Sequence, residues 1–228
     1  MTVNYTIHDH PLLLHKLSYL RQPDTITHSR DYERLIYEMG LILTSEITRN
    51  DQATLKTKWV DQGQFPKQSD WCGGEIIETE PLIVAVVRAG LTIAQASRDI
   101  LQTPYMAHIG VFEQEKQPGS GLTETKPFMV TIPEDIKDRK VFIFDLFMVR
   151  GKTAEHVILQ TKSYGAIPDN IHYVSLVISP EAYSFVDKNN ICEGVNFHCV
   201  RVDGEISEDR WLNNLQDTYH RLYRTTNR

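Results

Sequence analysis

The chain has 228 residues, with 24 Lys+Arg against 30 Asp+Glu, a formal charge of −6, 41% hydrophobic and 24% charged residues. That balance suits a globular unit large enough to bury its own core and excludes a wholly disordered chain. The acidic excess argues against general binding to nucleic acid or anionic membrane, and the longest apolar run, Leu82–Val87, is far short of the ~20 residues that span a bilayer.

No charged start followed by an apolar stretch marks a secretion signal. Cys72, Cys192 and Cys199 are odd in number and lack CxxC spacing, so neither a disulfide framework nor a zinc site is indicated. A reducing, cytoplasmic setting is therefore expected. With no repeat or Pro/Gly-rich linker, the chain divides into an N-terminal arm over 1–80 and a core over 81–228.

In the arm, Tyr32, Leu35, Ile36, Met39, Leu43 and Ile47 form a helical stripe, with Ser29 as its expected N-cap. Turn signals at Asp61-Gln62-Gly63 and Cys72-Gly73-Gly74 predict a small antiparallel excursion within 52–78. Leu82–Val87 then reads as a buried parallel strand, followed by a helix over 91–101 and a strand over Met106–Phe112. Polar residues 113–131, centred on Pro118-Gly119-Ser120-Gly121, predict a long hairpin or flap. Val141–Phe144 is the next strand, with a helix from about Thr153 to Tyr164. Val174–Ile178, a helix near 181–189 and Phe197–Val202 complete the alternation. Such alternation predicts an α/β fold with a parallel sheet and flanking helices.

Ligands of open α/β sheets bind beyond the carboxyl ends of the strands. Two loops lie there: Arg88-Ala89-Gly90-Leu91 and Asp145–Thr153. The second opens onto a helix start, and Gly151 with the charges of Arg150 and Lys152 makes an anion site physically reasonable. Asp145 could accept hydrogen bonds from sugar hydroxyls or hold a metal through water. The triplet Gly151-Lys152-Thr153 is not a P-loop, because the required upstream Gly is Leu146. The competing reading is an ordinary strand–helix connection with solvated cations.

Four segments together resemble the uracil phosphoribosyltransferase family in order and spacing: HPLLLHKLSYLR (His10–Arg21), DYERLIYEMGLILTSEIT (Asp31–Thr48), VVRAGL (Val86–Leu91) and FDLFMVRGKT (Phe144–Thr153). The resemblance implies a type I phosphoribosyltransferase fold with a helical arm, a β flap and a hood over the base. It implies transfer of ribose 5-phosphate from phosphoribosyl pyrophosphate to N1 of uracil, giving UMP, usually with Mg²⁺ and in a homodimer. By the same resemblance Arg88, Ala89 and Gly90 match the pyrophosphate position. Asp145 matches the acid on the ribose hydroxyls, and Val149, Arg150, Gly151, Lys152 and Thr153 match the 5-phosphate cradle.

Three departures bear on that expectation. The family cradle usually reads Ala-Thr-Gly-Gly-Ser; here Lys152 puts a side chain where backbone was bare, so it either binds phosphate by charge or fills its place. On the flap, Phe112-Glu113 replaces a usual Tyr-Arg, exchanging a cation for a carboxylate. At the C-terminus, a gapless placement of the family's Gly- and Pro-rich base loop retains Leu215, Asp217 and Arg221 but none of its Gly or Pro. Leu212, Leu215, Tyr219 and Leu222 instead fall at helical spacing, with Ser207 as N-cap, predicting a helix over 208–221. Such a helix closes its own backbone hydrogen bonds and cannot offer them to a pyrimidine. Asp217 is then a weak base-site candidate. Two readings stand: an active phosphoribosyltransferase, or a relative that binds a phosphorylated nucleotide-like ligand or a protein partner without base transfer.

Elsewhere, Cys192 and Cys199 read as buried apolar residues. His8, His10 and His15 read as arm packing, and Trp59, Trp71 and Trp211 as core or interface anchors.

Overall fold

Apolar runs at strand period and stripes at helix period assemble, in the computed structural model, into one sheet covered on both faces. The described residues are 3–22, 29–49, 55–60, 74–103, 105–115 and 123–203, with Leu215 and Leu222. In chain order the first elements are β1 (Asn4–Ile7), α1 (Pro11–Leu20), α2 (Ser29–Arg49), β2 (Thr57–Val60) and β3 (Gly74–Ile77). β4 (Leu82–Val87), α3 (Leu91–Leu101), β5 (Met106–Glu115), β6 (Thr123–Thr131), β7 (Val141–Phe144) and β8 (Phe147–Met148) follow. The last are α4 (Lys152–Ser163), β9 (Ile171–Ile178), α5 (Pro180–Asp187) and β10 (Asn196–Val202).

The main sheet has the order β1-β10-β9-β7-β4-β5-β6, with β8 alongside β9. Every pairing in it is parallel except β5 with β6. β4, β7 and β9 are adjacent, as expected from their unbroken apolar character. Alternate side chains serve the two faces. Val84, Ile143 and Tyr173 join the cluster shared with α4 and α5, while Ile83, Phe142 and Val174 pack with the α1, α2 and α3 side.

The arm is not separate from the sheet. Its first residues, β1, pair in parallel with β10, and Tyr5 stacks on Tyr183 with centroids 4.1 Å apart. The short, largely exposed stretch NYTI carries no apolar run to announce a strand. The α2 stripe is buried at Tyr32, Ile36, Met39, Leu43 and Ile47 and half-buried at Leu35. The helix begins at Ser29 itself, so its capping position falls on residue 28, outside the described residues. β2 and β3 form the antiparallel pair expected within 52–78. Trp59, however, is 61% exposed there and anchors no core. Trp71, Trp211, Cys72 and the turn at Pro118-Gly119-Ser120-Gly121 lie outside the described residues.

The hairpin of β5 and β6 spans the flap segment, with a register shift at Gly110/Val111. Cys192 and Cys199 are buried, and burial pushes both thiols up to about 12. The arm histidines follow separate routes. His10 caps α1 by accepting from Leu12 N–H at 3.2 Å, and His15 meets Tyr19 edge-on. His8 begins a chain, its Nε2 3.2 Å from His198 Nδ1, whose Nε2 lies 3.0 Å from His172 Nδ1.

Candidate functional site

β7 ends at Phe144, and the chain does not turn away as a simple loop would. Asp145 N–H donates to Val174 O, Leu176 N–H to Leu146 O and Ser179 N–H to Met148 O, so the segment continues along β9 as β8. Leu146 and Met148 are buried and drive that continuation. Ser179 fixes the far end: its hydroxyl donates to Val149 O while accepting from Ala182 N–H at the start of α5.

Gly151 then makes the turn into α4 with φ of +79°, a conformation that favours glycine. A Cβ there would also approach the Phe185 ring to 2.6 Å. The glycine is thus demanded by local geometry as well as suited to a phosphate. An α-helix leaves its first N–H groups without intrahelical acceptors. The first turn of α4, carrying Lys152 and Thr153, walls a hollow of about 390 Å³. Residues 147–153, Asp145 and Glu113 from β5 line it.

Asp145 is 6% exposed. Its Oδ1 accepts from Leu146 N–H at 2.8 Å and its Oδ2 from the Tyr173 hydroxyl at 2.9 Å. Burial pushes the carboxyl up to about 6, against the pull of those two hydrogen bonds. Burial also pushes Tyr173 well above its ordinary value, so it remains a hydroxyl donor. Arg150 is exposed, and Lys152 and Thr153 are half-buried.

Arg88, Ala89 and Gly90 stand at the neighbouring strand end, between β4 and α3. Gly90 is buried with its N–H on Val86 O at 2.8 Å, Ala89 is half-buried and Arg88 exposed, and the Val87–Arg88 peptide is cis. A Cβ at Gly90 would lie 1.9 Å from Phe144 O, so this turn presses against β7 just before Asp145. These three residues do not line the hollow described above. Asp217, Ser207 and the expected helix over 208–221 lie outside the described residues, apart from Leu215, which is buried in the core beside α1 and α2. Among the described residues no group of three or more His, Cys, Asp or Glu side chains could hold a metal.

Tyr173 escaped the sequence reading. A tyrosine beginning a buried strand ordinarily signals core, and only the pairing of β9 beside β7 shows that its hydroxyl reaches Asp145. Glu113 was legible as a charge on the flap, but not as a group lining the same hollow as Val149–Thr153.

A family model for uracil phosphoribosyltransferase matches residues 7–225. Relatives named uracil phosphoribosyltransferase from Ralstonia pickettii and Burkholderia ambifaria are 28% and 30% identical, each over 98% of this chain and 96% of its own length. The solved structure of the AQ2163 protein from Aquifex aeolicus shares the fold, with a TM-score of 0.77 at 20% identity over 96% of this chain and 97% of that one.

Proposed function

This chain belongs to the uracil phosphoribosyltransferase family, and on that footing we propose that it transfers ribose 5-phosphate from phosphoribosyl pyrophosphate to N1 of uracil, releasing pyrophosphate. The observation that carries the reading is the meeting of a buried carboxylate, Asp145, with the first turn of α4 in one hollow. Displacement at an anomeric carbon passes through an oxocarbenium-like state, so the protein's task is alignment and stabilisation of departing charge. In this reading Asp145 accepts from the ribose hydroxyls. Arg150, Lys152, Thr153 and the α4 backbone hold the 5-phosphate, and Arg88 with the Ala89-Gly90 backbone takes the pyrophosphate.

Mg²⁺ belongs to the same proposal. Among the described residues no group of three or more His, Cys, Asp or Glu side chains could hold a metal, so the metal would enter on the pyrophosphate, whose oxygens supply the hard ligands Mg²⁺ prefers. A homodimer and a cytoplasmic setting are proposed with it.

Glu113 favours a second reading. A carboxylate in the hollow opposes a polyphosphate, which suits a protein that holds a phosphorylated ligand without transferring a base. Titration with phosphoribosyl pyrophosphate and Mg²⁺, followed by assays against a panel of bases, separates the two. UMP formation supports transfer, binding without product from any base supports the second reading, and no binding of phosphoribosyl pyrophosphate refutes transfer.

A further inference from the structure

We propose that Tyr173 is a positioning residue whose hydroxyl fixes the Asp145 carboxylate in the orientation that receives the ribose hydroxyls. The inference deepens the proposed function and rests on its assignment of the hollow to the sugar phosphate.

The sheet places the two groups together. β9 pairs with β7 so that Tyr173 lies opposite Ile143, and strand alternation puts Ile143 and Asp145 on one face. Tyr173 is fully buried with its ring 5.5 Å from that of Phe197, and its hydroxyl ends 2.9 Å from Asp145 Oδ2. Phenylalanine would fill the same ring space. A buried hydroxyl is costly unless paired, and this one is paired with the acid that opens on the hollow.

Leu146 N–H grips the other oxygen at 2.8 Å. Two donors of fixed direction therefore hold the carboxylate plane, and each oxygen keeps a further lone pair for a ligand. A hydrogen bond donated to a carboxylate favours its ionised form. Tyr173 thus opposes the burial that draws Asp145 toward neutrality, and an ionised acid is the form that accepts from two sugar hydroxyls. Glu113 on β5, Arg150 before α4 and Lys152 at its start line the same hollow and bear on the same titration. Replacing Tyr173 by Phe leaves all three in place, so a change in Asp145 reports the lost hydroxyl.

The test uses the full chain and Tyr173→Phe, each labelled with ¹³C at aspartate carboxyls, with Asp145→Asn to assign the resonance. The Asp145 titration should move up by about one unit in Tyr173→Phe. Affinity for phosphoribosyl pyrophosphate should then fall roughly three- to tenfold near pH 6 and recover near pH 9. The ligand's own phosphates titrate equally with both proteins and cancel in the comparison. An unmoved carboxyl titration overturns the inference, as does an affinity that matches wild type at every pH. Wild-type protein that binds no phosphoribosyl pyrophosphate at any pH removes the sugar assignment and the ribose role with it. The carboxyl shift still decides whether Tyr173 governs Asp145, so the two failures are distinguishable.

Discussion

Replacing Asp145 by Asn should stabilise the fold while removing the carboxylate proposed to contact the sugar. Burial raises this carboxyl from 3.8 to about 6 in the folded chain. The folded protein therefore binds that proton more tightly than the unfolded one, and stability falls as pH rises from about 4 to about 6, then levels. Two units at 1.36 kcal/mol each give about 3 kcal/mol of destabilisation at pH 8, roughly half of it at pH 5 and almost none below pH 4. Asn keeps the shape without the charge. Its carbonyl can accept from Leu146 N–H, and its amide can donate to the Tyr173 oxygen. Urea unfolding of both proteins at pH 4, 5, 6 and 8 reads the difference directly. The variant should be the more stable protein at pH 8, with the gap closing in acid. A variant equally or less stable at pH 8, or a gap unchanged with pH, would mean that burial does not strain this carboxyl.

Gly90→Ala should force the Arg88-Ala89-Gly90 turn away from β7, because the added Cβ would lie 1.9 Å from Phe144 O; a loss of ~1–3 kcal/mol in urea unfolding is expected. A Tm within one or two degrees of wild type would show that the turn yields easily. Lys152→Ala should weaken phosphoribosyl pyrophosphate binding by about tenfold, the size of one charge-assisted contact; tighter binding in calorimetry would mean that the side chain occupies the phosphate's place. His8 and His198 are both held below the usual histidine range, chiefly by burial. Their contribution is present above about pH 6.5 and lost as pH falls. His198→Phe should therefore lose less stability than wild type between pH 7 and 5, measured in the Asp145→Asn background so that the carboxyl's opposite slope is absent. An unchanged slope would remove the histidine chain as its source.

The strands at Leu82–Val87 and Val141–Phe144 were legible because their residues are apolar without interruption, as burial on both faces requires. The helix over 91–101 was legible to the residue. β1 was not, since an edge strand can be held by backbone pairing and one stacked ring with little apolar signal. β8 was hidden in the segment from Asp145 to Thr153 because a two-residue strand has too few positions to show a period. Asp145, Gly151 and Lys152 were legible as a strand-end cluster because strand–loop–helix order alone sets where they lie. Glu113 reaches the hollow and Tyr173 reaches Asp145 behind it from other strands, and register, which no local pattern encodes, brings them there.

Charge within the hollow leaves the proposed phosphate contact mainly to the backbone. Arg150 and Lys152 face two carboxyls, Asp145 and Glu113, so with both acids ionised the side chains sum to about zero. An incoming phosphate is then drawn mainly by the first N–H groups of α4, whose dipole does not depend on pH. Protonating Asp145 would make the hollow more cationic and better for phosphate, yet poorer for the sugar hydroxyls that need an acceptor. In the proposed reading the two halves of one ligand thus ask opposite things of a single carboxyl. On that reading the Tyr173 hydroxyl favours the sugar, because its hydrogen bond opposes the burial that draws Asp145 toward neutrality.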